Sequence, residues 1–162
     1  MTYLKFTIGI FVILAASRFI PHPPNFTSLI ALSFYIPALL GRKYLPALVL
    51  SFAVTDIFIG FHSTILFTWG GVIFIGLLSG YFKMNKFNRL LGALTGAFIF
   101  FILTNFGVWS QGSYGYNLDG LIICYTMALP FFYTTIISTI CYSILIELVL
   151  KLCSKAGYLK EI

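Results

Sequence analysis

Apolar residues in this chain run in long blocks, and the polar breaks between them are only a few residues wide. That pattern constrains the fold more than any single motif. A block of about 20 apolar residues is the length a helix needs to cross a bilayer. Inside lipid, every backbone N–H and C=O must find a partner within the protein, which leaves helices as the natural form for such blocks. With 60% hydrophobic and 9% charged residues in 162 positions, the chain is too apolar to hide its blocks in one soluble core; soluble domains carry about 25% charged residues.

The breaks divide the chain into six expected spans, at about 4–20, 27–40, 45–61, 64–82, 90–108 and 131–152, all within a single transmembrane domain covering 1–162. "PHPPNF" (21–26) ends the first span, because prolines remove backbone donors. The second contains Pro37 and is short, so it is expected to be kinked, tilted or partly inset. "GRK" (41–43) closes it, and Pro46 falls in the first turn of the third, where helices tolerate proline. "HST" (62–64) turns the chain into the fourth span, and the basic loop "KMNKFNR" (83–89) leads to the fifth. After the polar loop "SQGSYGYNLD" (110–119), residues 120–153 are almost continuously apolar. As one helix they would measure about 50 Å, against a hydrocarbon core of about 30 Å. Pro130 is therefore expected to divide them, with 120–129 a re-entrant or interfacial segment before the last helix. The fold class that follows is all-α integral membrane.

Charge gives the orientation. If the spans alternate, Lys5, Arg42, Lys43, Lys83, Lys86, Arg89, Lys151, Lys155 and Lys160 fall on one side, and of the ten basic residues only Arg18 falls on the other. The positive-inside rule then places both termini in the cytoplasm. The net charge of +6 is spread as a topology marker and not as a basic face for nucleic acid. "ILAASR" (13–18) resembles the end of a cleavable signal peptide, but one early charge and Leu14 at the third position before a cut speak against cleavage. Gly76 with Gly80, and Gly92 with Gly96, form two GxxxG pairs flanking the basic loop. They are read as facing motifs that pack spans four and five closely, with a dimer face as the alternative. Cys124, Cys141 and Cys153 are odd in number, match no metal spacing and fall at different depths, so they are expected to be small, buried, unpaired thiols.

The unusual polar residues collect towards the outer side: Arg18, His22, Asn25, Asp56, His62, Asn105, Asp119, and with them Trp109 and Tyr125. Asp56 lies about 15 Å along its helix from Pro46, near mid-membrane. An ionisable residue at that depth points to a functional site, or to a pair with Arg18 that only locks two spans together. A stripe at four-residue spacing, Thr135, Thr139, Ser143 and Glu147, marks one face of the last span. Its hydroxyls are expected to bond back to their own carbonyls, and Glu147 to pair with Lys151. No nucleophile and base stand at a catalytic spacing, so no enzyme activity is expected.

Five motifs carry a resemblance: "PHPPNFT" (21–27), "DIFIGFH" (56–62), "TNFGVW" (104–109), "GLIICY" (120–125) and "PFF" (130–132). With them the chain resembles a bacterial membrane family of unknown function held to be transport proteins. That family is in turn similar to the substrate-binding S components of energy-coupling factor (ECF) transporters. The resemblance implies a six-helix S-component-like bundle in the bacterial inner membrane, which takes a vitamin-like micronutrient from the outer face. It also implies an ATP-driven energising module as partner, with transport by the protein acting alone as the alternative. S components dock that module through an AxxxA face on the first helix; here the first span offers Gly9, Ala15, Ala16 and Ser17 without that spacing. In this reading Arg18 meets an anionic group, directly or through Asp56. His22, Asn25, His62 and Asn105 supply hydrogen bonds, Trp109 and Tyr125 stack on the solute, and no cofactor is resident. The alternative is a non-transporting accessory or assembly subunit, in which His22 and His62 hold a metal or haem-type cofactor.

Overall fold

The computed structural model describes residues 2–82 and 85–155. Lys83 and Lys160, two of the charges used for orientation, lie outside the described residues. Among the described residues every regular element is helical: α1 (Thr2–Phe19), α2 (Leu29–Leu40), α3 (Leu45–Ile59), α4 (Ile65–Leu78), α5 (Lys86–Trp109) and α6 (Leu118–Lys155). Single 3-10 turns, Arg42–Tyr44 and Ser79–Tyr81, follow α2 and α4.

The helix ends follow from local chemistry. Pro21, Pro23 and Pro24 stop α1, and Gly41 and Gly60, at φ of 95° and 111°, take the chain out of α2 and α3 in a conformation that glycine adopts without strain. Pro46 sits in the first turn of α3, as its missing N–H allows. The Asn85 side chain caps α5 by accepting from the Asn88 N–H at 2.8 Å. Helix α5 therefore starts four residues before the expected span and takes Arg89 out of the basic loop.

The short α2 is the centre of the molecule. Residues 29–35 and Pro37 are buried, and the helix touches α3, α4, α5 and α6. Leu32 packs in one core with Ile10, Leu14, Leu48, Phe52 and Val72. On the other side Ile30, Phe34 and Tyr35 pack with Ile75, Ala93 and Ala97. The most extensive contact joins α5 to α6, while α1 leans chiefly on α3.

Three expectations are corrected. First, no re-entrant segment precedes the last helix: α6 runs unbroken through Pro130 for 38 residues, about 57 Å. Proline removes one backbone donor, but both sides of it are tied to α5. The Tyr125 hydroxyl donates to the Ile102 carbonyl at 2.7 Å, and Phe132 lies 4.4 Å from Phe101 between ring centroids. Second, the two GxxxG pairs do not face each other. Gly96 meets Ile75 of α4, but Gly92 abuts Phe34 of α2, Gly76 abuts Leu45, and Gly80 abuts Arg42. Each glycine makes room for a large side chain rather than for a partner glycine, and at Gly92 that side chain comes from the buried α2. Third, Glu147 pairs with Arg89 of α5, not with Lys151, because the buried face of α6 turns it inward.

By length and composition, α5 and α6 are long and apolar enough to cross a membrane. Among the described residues the basic side chains other than Arg18 gather at one end of the molecule. There the Tyr3 hydroxyl donates to the Lys43 carbonyl, Arg42 donates to Leu77 at the end of α4, and Lys86 and Lys151 line one cleft. The opposite end carries the loops 20–28, 60–64 and 110–117.

Candidate functional site

At the loop end, α1, α3 and α4 meet around one carboxylate. Arg18 Nη2 lies 2.7 Å from Asp56 Oδ1, and the Trp69 indole N–H donates to Asp56 Oδ2 at 2.7 Å. The same guanidinium donates to the Thr55 hydroxyl and the Phe52 carbonyl, and stacks 4.5 Å over the Phe52 ring. Asp56 is 1% exposed and Arg18 14%. A buried ion is costly unless its hydrogen bonds are met, and here both carboxylate oxygens have a donor. The cluster ties three helices together at their loop ends. Sequence reasoning paired Arg18 with Asp56 but missed Trp69, whose spacing of 13 from Asp56 spans a turn and carries no local signal.

Loop 20–28 is strapped on both sides. Ser28 N–H donates to the Ser17 hydroxyl oxygen at 3.2 Å, and the two hydroxyls are 2.8 Å apart. The Ser138 hydroxyl of α6 lies 3.4 Å from the Asn25 carbonyl. Asn25 itself has φ of 63°, a left-handed conformation that asparagine tolerates better than most residues. The loop sits low: Asn25 shares a cavity with Phe101, Thr104 and Asn105 of α5, and Trp109 ends that helix about 6–12 Å further on.

That cavity holds about 110 Å³ between α5 and α6, beneath Asn25. Its walls are Phe100, Phe101, Phe131 and Phe132, with Ala128. Thr104, Asn105, Thr135 and Asn25 supply its polar atoms. The Asn105 amide nitrogen donates to the Phe101 carbonyl at 2.8 Å, and the Thr104 and Thr135 hydroxyls donate to carbonyls four residues back. These bonds leave acceptor capacity on the Asn105 amide oxygen and on both hydroxyls. An aromatic box with a few fixed polar groups is the usual make-up of a small-molecule site.

The structure thus separates the expected residues. Arg18 and Asp56 form the ion-pair cluster, and Asn25 and Asn105 share the cavity. His22 stays with its own loop: Nδ1 donates to Pro23 O at 2.7 Å, and Nε2 lies 3.4 Å from Arg18 O. His62 pairs with the Thr64 hydroxyl at 2.9 Å in the next loop. Tyr125 spends its hydroxyl on Ile102 and packs edge-on against Phe101, behind the cavity wall. Trp109 packs on Phe106 and Tyr116, with its indole N–H buried and, among the described residues, without a hydrogen-bond partner. Among the described residues no group of three or more His, Cys, Asp or Glu side chains is placed to hold a metal ion; Cys124, Cys141 and Cys153 are free thiols, but only Cys124 is buried as expected, while Cys141 is exposed and Cys153 half-buried.

A second buried charge cluster lies towards the basic end. Arg89 Nε and Nη2 donate to the two Glu147 carboxylate oxygens at 2.7 and 2.8 Å, in the bidentate geometry that suits guanidinium and carboxylate. Arg89 is 1% exposed. Beside this pair lie the buried hydroxyls of Tyr35 and Ser143. The stripe Thr135, Thr139, Ser143 and Glu147 faces the interior; Thr135 and Thr139 bond back to the carbonyls four residues before them, as expected, whereas Ser143 does not. Its end partner was hidden because Arg89 lies 58 positions away.

Residues 2–159 match the family of unknown function DUF6580, and the chain belongs to that family. No curated protein and no solved structure matches it.

Proposed function

We propose that this protein is a multi-pass protein of the bacterial cytoplasmic membrane that binds a small solute from the outer face. In this reading all six helices are membrane-embedded, the basic end faces the cytoplasm with both termini, and loop 20–28 is an inset outer hairpin. The positive-inside distribution and the length of α5 and α6 support the embedding. The observation that carries the reading is the cavity under Asn25, closed by four phenylalanines and edged by Asn105, Thr104 and Thr135. Its volume of about 110 Å³ is below that of a void that holds benzene. A compact solute with one apolar face and hydrogen-bond donors suits it; a larger micronutrient needs the loop to lift. A transport role with an energising partner is a further part of this proposal, carried only by the resemblance read in the motifs and by no match to a curated protein or solved structure.

Untargeted mass spectrometry of protein purified from its native membrane tests this. The wild type is expected to retain a compound near one-to-one, and Ala128→Phe, which fills the cavity, to lose it. Equal retention by the filled variant removes the cavity as the site.

A further inference from the structure

The cleft at the basic end of α5 and α6 has no part in the solute cavity. It holds about 390 Å³ and is lined by Lys86, Phe87 and Leu90 from α5, Ser143, Ile144, Glu147, Leu148 and Lys151 from α6, and Tyr35 from α2. Three features set it apart. Its charge is unbalanced: Glu147 is neutralised by Arg89, while neither Lys86 nor Lys151 has a salt bridge among the described residues. Its walls are apolar and open outward: Phe87 is 74% exposed, Ile144 59% and Leu148 49%. Its floor is polar, with the buried hydroxyls of Tyr35 and Ser143 beside the Glu147 carboxylate.

We propose that this cleft binds one anionic phospholipid of the cytoplasmic leaflet. The two ammonium groups hold the phosphate, and an acyl chain lies along Phe87, Ile144 and Leu148. Basic pockets between membrane helices on the cytoplasmic side suit anionic headgroups. A water-soluble phosphate would use the lysines but would leave the apolar walls uncovered. A zwitterionic lipid would cover the walls but bring its own cation to the lysines. The inference rests on the membrane placement proposed above, and not on the solute cavity.

The test uses full-length protein, delipidated in neutral detergent and titrated by native mass spectrometry with phosphatidylglycerol or phosphatidylcholine of the same chains. Phosphatidylglycerol is expected to bind at least ten-fold more tightly. K86Q and K151Q should each weaken it about five-fold, the usual effect of one basic residue near an anionic surface. K155Q, on the same helix but outside the cleft, should leave the preference unchanged. Equal affinity for the two lipids overturns the proposal, as does a preference that survives K86Q/K151Q together. Displacement by equimolar glycerol 3-phosphate would assign the cleft to a soluble anion instead. Failure of the membrane placement shows separately, as protein recovered in the soluble fraction without detergent.

Discussion

Asp56 of α3 holds Arg18 of α1 at 2.7 Å and Trp69 of α4 at the same distance, one on each carboxylate oxygen. From sequence, Asp56 reads equally as a solute ligand or as a lock between helices. Its burial and its two donors support the lock. The polar atoms with spare capacity lie elsewhere, under Asn25, and that division of labour shapes the predictions.

Removing one member of the Arg18–Asp56 pair leaves an uncompensated charge in a buried place. Asp56→Asn is expected to cost about 3 kcal/mol of stability. Thermal unfolding in detergent should show a large downward shift, while solute retention per folded molecule stays near wild type. Lost retention with an unchanged melt would return Asp56 to the binding site.

Arg89 and Glu147 give a sharper version, because Arg89 is almost fully buried. Glu147→Gln should destabilise by about 3–5 kcal/mol, and Arg89→Met with Glu147→Leu should recover most of that loss, since a buried pair is often replaceable by apolar side chains. A thermal melt of the single and double variants checks it. A double variant no better than the single would mean the pair does more than compensate itself.

Gly92 and Gly70 should behave oppositely. A Cβ at Gly92 would fall 2.2 Å from Cζ of Phe34, whose ring is held in the core by Tyr35 and Phe82. A Cβ at Gly70 meets nothing within 4 Å. Gly92→Ala is expected to cost about 1–3 kcal/mol from overpacking, and Gly70→Ala to be neutral or stabilising, since alanine is the better helix former. Chemical-denaturant or thermal curves of the two variants separate them.

Pro130 sits inside a helix that continues past it. If tertiary contacts with α5 carry α6 through that point, Pro130→Ala should raise thermal stability by restoring a backbone bond. A marked loss of stability or of solute retention would show that the proline shapes the wall beside Phe131.

Local chemistry made much of the fold legible. Short polar, basic and proline-rich breaks placed five of the six helices within a few residues, and the four-residue stripe from Thr135 to Glu147 picked out one face of α6. Pro130 misled because proline's effect on a helix is decided by what packs around it. Arg89 misled because a charge beside a basic loop reads as solvated until Glu147 is found opposite. The glycine pairs misled because sequence shows small residues but not the large neighbour, Phe34 or Leu45, that fills the space. In the candidate site Asn25 and Asn105 were visible as polar residues in apolar surroundings, whereas Phe100, Phe101, Phe131 and Phe132 were indistinguishable from other packing aromatics.

The central claim, an inset loop that opens a solute cavity to the outer face, is tested most directly by labelling from one side. Cys124, Cys141 and Cys153 are replaced, and single cysteines are placed as Asn25→Cys and Lys43→Cys. Intact spheroplasts are then treated with a membrane-impermeant maleimide. Asn25→Cys is expected to react in intact spheroplasts, and Lys43→Cys only after lysis. Reaction of Lys43→Cys but not Asn25→Cys from outside would contradict the account.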